Sequence, residues 1–136
     1  MHDIHNEMET RKLVDVTRQT NADTAIVSEI IDLQGIHACE LIVSYGQLTD
    51  TNATVTALLE ESNDSGMSVK NAVADADLLG TEAGISADAT ADDGTVKKLG
   101  YKGIKRYIRL TLTPSGNNSG NIDVSAVAVL MHKSKK

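Results

Sequence analysis

From Lys105 to Thr113 the chain reads KRYIRLTLT. Ile108, Leu110 and Leu112 fall on one side of an extended backbone, and Tyr107, Arg109, Thr111 and Thr113 on the other. An apolar residue at every second position is the period of a half-buried strand, because successive side chains of a strand point to opposite faces. The run IDVSAVAVLM (122–131) repeats the pattern with Ile122, Val124, Ala126, Ala128 and Leu130. Further strand-like runs are RKLVDVT (11–17), TAIVSEIIDL (24–33), ACELIVSYG (38–46), ATVTALLEES (53–62), MSVKNAVA (67–74) and TVKKLGY (95–101). Turn-forming residues separate them: Gly35, TDTN (49–52), NDSG (63–66) and PSGNNSGN (114–121), which holds the only proline. Residues 75–94 are rich in small residues and glycine and are expected to be loops around a short strand. A helix over NAVADADLLG (71–80) is second to that reading. The pattern predicts an all-β, single-domain β-sandwich or jelly roll of about 7–9 antiparallel strands. It covers 11–132, with an extended N-terminal arm at 1–10 and a basic C-terminal tail at 133–136. RKLVDVT is either the first strand of this sandwich or a strand added to another sheet.

A length of 136 residues suits one domain. There is no Trp and no Phe, and only Tyr45, Tyr101 and Tyr107 are aromatic, so Val, Ile, Leu and Ala must fill the core. The single cysteine, Cys39, has no intramolecular disulfide partner. Its apolar setting, HACELIVSY, predicts a buried and inert thiol. No segment approaches the roughly 18 apolar residues of a membrane helix. The polar start, MHDIHNEMETRK, has no apolar h-region, so no secretion signal is expected.

Charge is unevenly placed. Residues 1–95 hold 18 Asp and Glu against 4 Lys and Arg, a net of -14, whereas residues 96–136 hold 1 against 9, a net of +8. Six basic residues fall between Lys97 and Arg109. A nucleic-acid module would interleave stacking aromatics with such charge. Tyr101 and Tyr107 are the only candidates, and the net charge of -6 opposes phosphate attraction. The asymmetry points instead to oriented docking on copies of the chain or on an acidic protein surface. The expected contact residues are Arg11 and Lys12 near the arm, and Lys102, Lys105, Arg106 and Arg109 on the basic strand. There Lys105, Tyr107 and Arg109 are expected to share a solvent-facing edge row.

No other pattern carries chemistry. The loop acids Asp75, Asp77, Glu82, Asp88, Asp92 and Asp93 do not have the spacing of a Ca²⁺-binding EF-hand loop. His2, His5, His37 and His132 show no zinc-like spacing beyond the loose His2/His5 pair. No GxSxG is present. Glu60 and Glu61 are adjacent on a strand and therefore face opposite sides, which argues against a shared acid/base site. No catalytic residue, cofactor, metal, nucleic acid or membrane is expected. A sugar-binding sandwich would lack the Trp that usually stacks the ring.

Four stretches, LLEESNDSG (58–66), VADADLLGTEAG (73–84), TVKKLGYKGIKRYIRLTLTPSG (95–116) and VSAVAVLMHKSKK (124–136), resemble a family of small structural proteins of tailed bacteriophages and prophages that are associated with head genes. The resemblance covers most of residues 11–132. Members often carry a Trp just after the turn of the first stretch, where Met67 stands here, and filling the core is the simplest role there. The resemblance implies a virion component, most specifically a capsid decoration (cement) protein. Such a protein binds the major capsid protein on the outer head shell, stabilises it through inter-subunit contacts, and is a homo-oligomer. A homotrimer suits the threefold positions of a shell lattice. It would be made and assembled in the bacterial host cytoplasm. Alternatives are a spike, minor head or tail protein, or a carbohydrate- or host-surface-binding module.

Overall fold

The computed structural model describes residues 3–133. Its strands are β1 (Met8–Thr20), β2 (Ile26–Val27), β3 (Ile31–Asp32), β4 (Ile36–Leu48), β5 (Thr54–Ser62), β6 (Asn71–Ala72), β7 (Leu78–Leu79), β8 (Ala87–Asp88), β9 (Val96–Tyr101), β10 (Tyr107–Ser115) and β11 (Asn121–His132). A one-turn helix, α1 (Glu82–Ile85), lies between β7 and β8. Sheet A runs β1-β11-β4-β9-β7, and sheet B runs β2-β10-β5-β6, with β3 also on β10 and β8 also on β5. All these pairings are antiparallel. With β2 and β3 counted as one interrupted strand, β6 and β8 as another, and the two-residue edge piece β7 set aside, eight strand positions remain. Sheet A then orders first, eighth, third, sixth, and sheet B second, seventh, fourth, fifth. That interleaving is two Greek keys, a jelly-roll sandwich.

The alternation read from the sequence builds the interior. Leu41, Val43 and Tyr45 of β4, Leu99 of β9 and the five inward residues of β11 meet Val55, Ala57 and Leu59 of β5 and Ile108, Leu110 and Leu112 of β10, all buried. Tyr45 caps one end of this layer, its hydroxyl donating to the Ile85 carbonyl at 2.6 Å. Met67 is buried at 1% exposure, although its φ of 55° lies in the left-handed region that disfavours side chains. It is buried beneath its own turn but is not part of the main core cluster, where the sequence reading places it.

Five segments depart, in whole or in part, from the sequence reading. Residues 24–33 are two short pieces, because the Ser28 hydroxyl accepts the Leu110 N–H at 2.9 Å and takes one rung of the ladder itself. Of 67–74 only Asn71 and Ala72 pair with β5, since Asp64 draws the Ser68 N–H into a turn at 2.8 Å. Residues 75–94, expected as loops around a short strand, hold two such strands, β7 and β8, with one-turn helical segments around them, and the second-ranked helix over 71–80 does not form. Strand β10 continues through Pro114, so its loop begins at Gly116. There φ is 77°, and a Cβ would stand 2.5 Å from the Asn52 carbonyl oxygen. RKLVDVT lies within β1 of its own sheet, and β1 starts at Met8, inside the segment read as arm. Two bulges interrupt its pairing with β11, which discourages edge-to-edge association there.

Truncating Leu110, 0% exposed between the sheets, is expected to cost about 3 kcal/mol in urea unfolding. Val127→Ala on the outward side of β11 should stay within about 0.5 kcal/mol. Equal losses would contradict this assignment of faces.

Candidate docking face and groove

The pairing register maps the outward side of sheet A row by row. Met8, Met131 and Ala38 form one row; Thr10, Val129, Glu40 and Gly100 the next, extended by Leu79 of β7. Lys12, Val127, Ile42 and Lys98 follow, then Ser125, Ser44 and Val96. Below them Arg18 grips Asp123, with Nε and Nη2 each 2.7 Å from a carboxylate oxygen. The middle of this face is apolar: Val127 is 41% exposed, Val96 67% and Leu79 55%, beside half-buried Ile42, Val129 and Met131. Core packing uses the other side of the sheet, so nothing in the fold calls for apolar residues here. Glu40 is the one acid inside the patch. Burial raises its pKa, and Lys98 opposes that shift.

At the end where β4 and β10 start and β9 and β11 finish, the face runs into a groove of about 880 Å³. Ala38, Val129 and Met131 line its floor, and Leu79 and Ile104 its side. Ile104 is 94% exposed. The 102–106 loop that carries it is held from below by Tyr101. The Tyr101 hydroxyl donates to Glu61 Oε1 at 2.7 Å and accepts the Lys105 N–H at 3.1 Å. The loop passes so close to the ring that a Cβ on Gly103 would lie 2.4 Å from the hydroxyl oxygen. GYKG is thus a latch under a loop. Only the residue types and their spacing, not their contacts, could be seen in the sequence.

The six expected contact residues separate. Lys102 and Lys105 lie on the groove rim and have no carboxylate within ion-pair distance among the described residues. Arg106 also lines the groove, but its guanidinium is engaged. Nε and Nη2 donate to the two Asp32 oxygens at 2.9 Å each. Arg11 donates to the Asp32 carbonyl at 3.1 Å and to Glu9 at 2.6 Å, tying sheet A to β3 of sheet B. Lys12 is exposed beside Asp15, 3.0 Å away. Arg109 is on the opposite side of the molecule, 4.0 Å from its cross-strand partner Glu60. The edge row is corrected: β10 is interior to sheet B, between β2/β3 and β5, and Lys105 precedes it. Lys97 also pairs internally, 2.8 Å from Asp92. Much of the charge imbalance between the two parts of the sequence is therefore met inside the chain.

Other candidates resolve into structure. Glu61 holds Tyr101 while Glu60 faces Arg109, on opposite sides as adjacent strand residues must be. Glu82 accepts the Leu59 N–H, Asp92 that of Asp88 and Asp93 that of Leu48, so these acids fasten loops at separate places. Among the described residues no three His, Cys, Asp or Glu converge as a metal cluster; His2 lies outside them. Tyr45 and Tyr101 are buried, and the half-buried Tyr107 lies against the Arg106 guanidinium, 5.0 Å from its ring centre.

No protein-family model matches the chain, and no curated protein does. Solved structures share its fold. The VP2 subviral particle of infectious bursal disease virus is 16% identical over 92% of this chain and 32% of its own, with a TM-score of 0.50. The Gx strain of that virus is 17% identical over the same shares, with a TM-score of 0.49. The CBM32 of AlyQ in complex with 4,5-unsaturated mannuronic acid is 12% identical over 97% of this chain and 100% of its own, with a TM-score of 0.42. The chain spans about a third of the viral chains it matches. At these identities the likeness is one of architecture.

Two outcomes follow from the geometry. The Arg106 fork, then the Gln34 N–H, hold the Asp32 carboxyl at about 2 against an ordinary 3.8. A depressed folded-state pKa gives stability that is complete above about pH 4 and is lost as pH falls toward 2. The stability difference between wild type and Asp32→Asn should shrink over that window; a constant difference excludes the assignment. Cys39, buried under the groove floor with its thiol pushed up to about 12, should resist a thiol reagent until the protein is unfolded.

Proposed function

We propose that the chain is a virion structural protein, and within that class a head decoration protein of a tailed bacteriophage or prophage. It binds the outer shell and stabilises it without catalysis. The observation that carries this reading is the outward side of sheet A. An apolar patch ringed by Lys12, Lys98 and the Arg18–Asp123 pair is the kind of surface that contacts another protein. The segments that resemble phage head proteins meet at this surface: VSAVAVLM is its centre, and LGYKGIKRY forms the groove side. The partners in this reading are the major capsid protein and further copies of the chain, as a homotrimer at threefold positions. Repetition over a symmetric shell turns modest contacts into firm attachment. A spike or a minor head or tail protein would use the same surface and differ in copy number. A glycan site has less support, because two of the three tyrosines are buried.

Purified protein added to heads that lack it is expected to co-sediment at a stoichiometry set by the lattice. Val127→Asp with Val96→Lys, both on exposed positions, should weaken that binding at least about tenfold with an unchanged melting temperature. Heads that take up no protein would sink the reading. A glycan-array hit lost in Tyr107→Ala would transfer it to the carbohydrate module.

A further inference from the structure

The apolar face is too small to hold two copies together by itself. From the Met131 row to the Asp123 row it spans nine residues of β11, and its width is four to five strands, on the order of 500 Å² in all. A stable interface takes about 800 Å² from each partner. The missing area is available at the groove and in the N-terminal arm. The groove has an apolar side, Leu79 and Ile104, under a basic rim, Lys102 and Lys105. The arm has the complementary character. Ile4 is 64% exposed, flanked by Asp3 and Glu7, and residues 3–7 rest on no strand.

We infer that the groove of one copy receives the arm of a second copy, with Ile4 between Leu79 and Ile104 and with Asp3 and Glu7 against Lys102 and Lys105. The inference rests on the self-associating reading above and names its contact. The arm leaves sheet A at Met8 on β1, four strand positions from β7, which carries Leu79, roughly 19 Å across the sheet. Ile4 is four residues from Met8, a reach of about 13 Å when fully extended. The chain's own arm falls short of seating Ile4 beside Leu79, whereas a neighbour's arm is not bound by that root. In the structure the arm instead folds on itself, Asp3 accepting the Asn6 N–H and Ile4 the Glu7 N–H. An arm passed from each copy to the next is a heterologous contact, which closes into a ring when the rotation allows it, a trimer included.

Sedimentation velocity of the full-length chain, without any phage particle, tests the inference. The wild type is expected to form a closed oligomer in a concentration-dependent way. Ile4→Asp should raise the dissociation constant at least about tenfold, the scale of losing one buried isoleucine, with an unchanged thermal melt. Lys102→Glu with Lys105→Glu should do the same, and adding Asp3→Lys and Glu7→Lys in the same chain should restore association. A wild type that stays monomeric overturns the inference, as does an oligomer indifferent to Ile4→Asp or a reversed-charge chain that fails to recover. The outcomes are separable from the decoration reading. An arm-dependent oligomer that ignores heads removes that reading and keeps this one, and head binding by a chain indifferent to Ile4→Asp does the reverse.

Discussion

Strand β11 lies between β1 and β4 and is apolar on both sides, with Val124, Ala126, Ala128 and Leu130 inward and Val127, Val129 and Met131 outward. In most strands a slip by one residue carries the core set into water and is penalised heavily. Here a slip would exchange one apolar set for another, so burial alone discriminates poorly. Size discriminates better: Ala126 and Ala128 are among the smallest inward residues, and valines in their places would overpack a fitted interior. Polar pins at the two ends fix the rest. Glu9 lies 2.8 Å from the His132 imidazole, and Arg18 clasps Asp123, both between β1 and β11. The same register decides what fills the core and what the molecule shows to a partner.

The distribution of charge has a second consequence. Bases late in the chain meet earlier acids: Lys97 with Asp92 of the preceding turn, Arg106 with Asp32 of β3, Arg109 with Glu60 of β5. Such surface pairs add little to stability, but the last two select one way of bringing distant segments together. Once they are made, Lys98, Lys102 and Lys105 are left beside the apolar face and groove, where charge can orient a partner and suppress wrong poses. Such a body has a packed interior, an edge interrupted by bulges and one broad, partly apolar outer side.

The strong strands were legible because alternation is a local property. Each of KRYIRLTLT, IDVSAVAVLM and ACELIVSYG carries its own period and supplies most of a long strand, and the apolar rows of the first two face inward. The weaker runs were misjudged where a side chain replaced a backbone partner, as Ser28 does for Leu110, or where a turn took residues out of the sheet, as Asp64 does near Ser68. The basic residues were visible as a cluster, but which of them were engaged was not. Arg106 meets Asp32 across 74 positions of sequence, and no spacing rule reaches that far.

The sequence alone determined an all-strand chain with an aliphatic core, a buried cysteine and a concentrated basic segment, because strand period and composition are written residue by residue. The tertiary structure decided the strand order, the outward placement of an apolar face, the groove beside it and the two lysines left on its rim. These depend on contacts between residues tens of positions apart, on the side-chain sizes that select a register, and on the Tyr101 hydroxyl that holds the 102–106 loop in place.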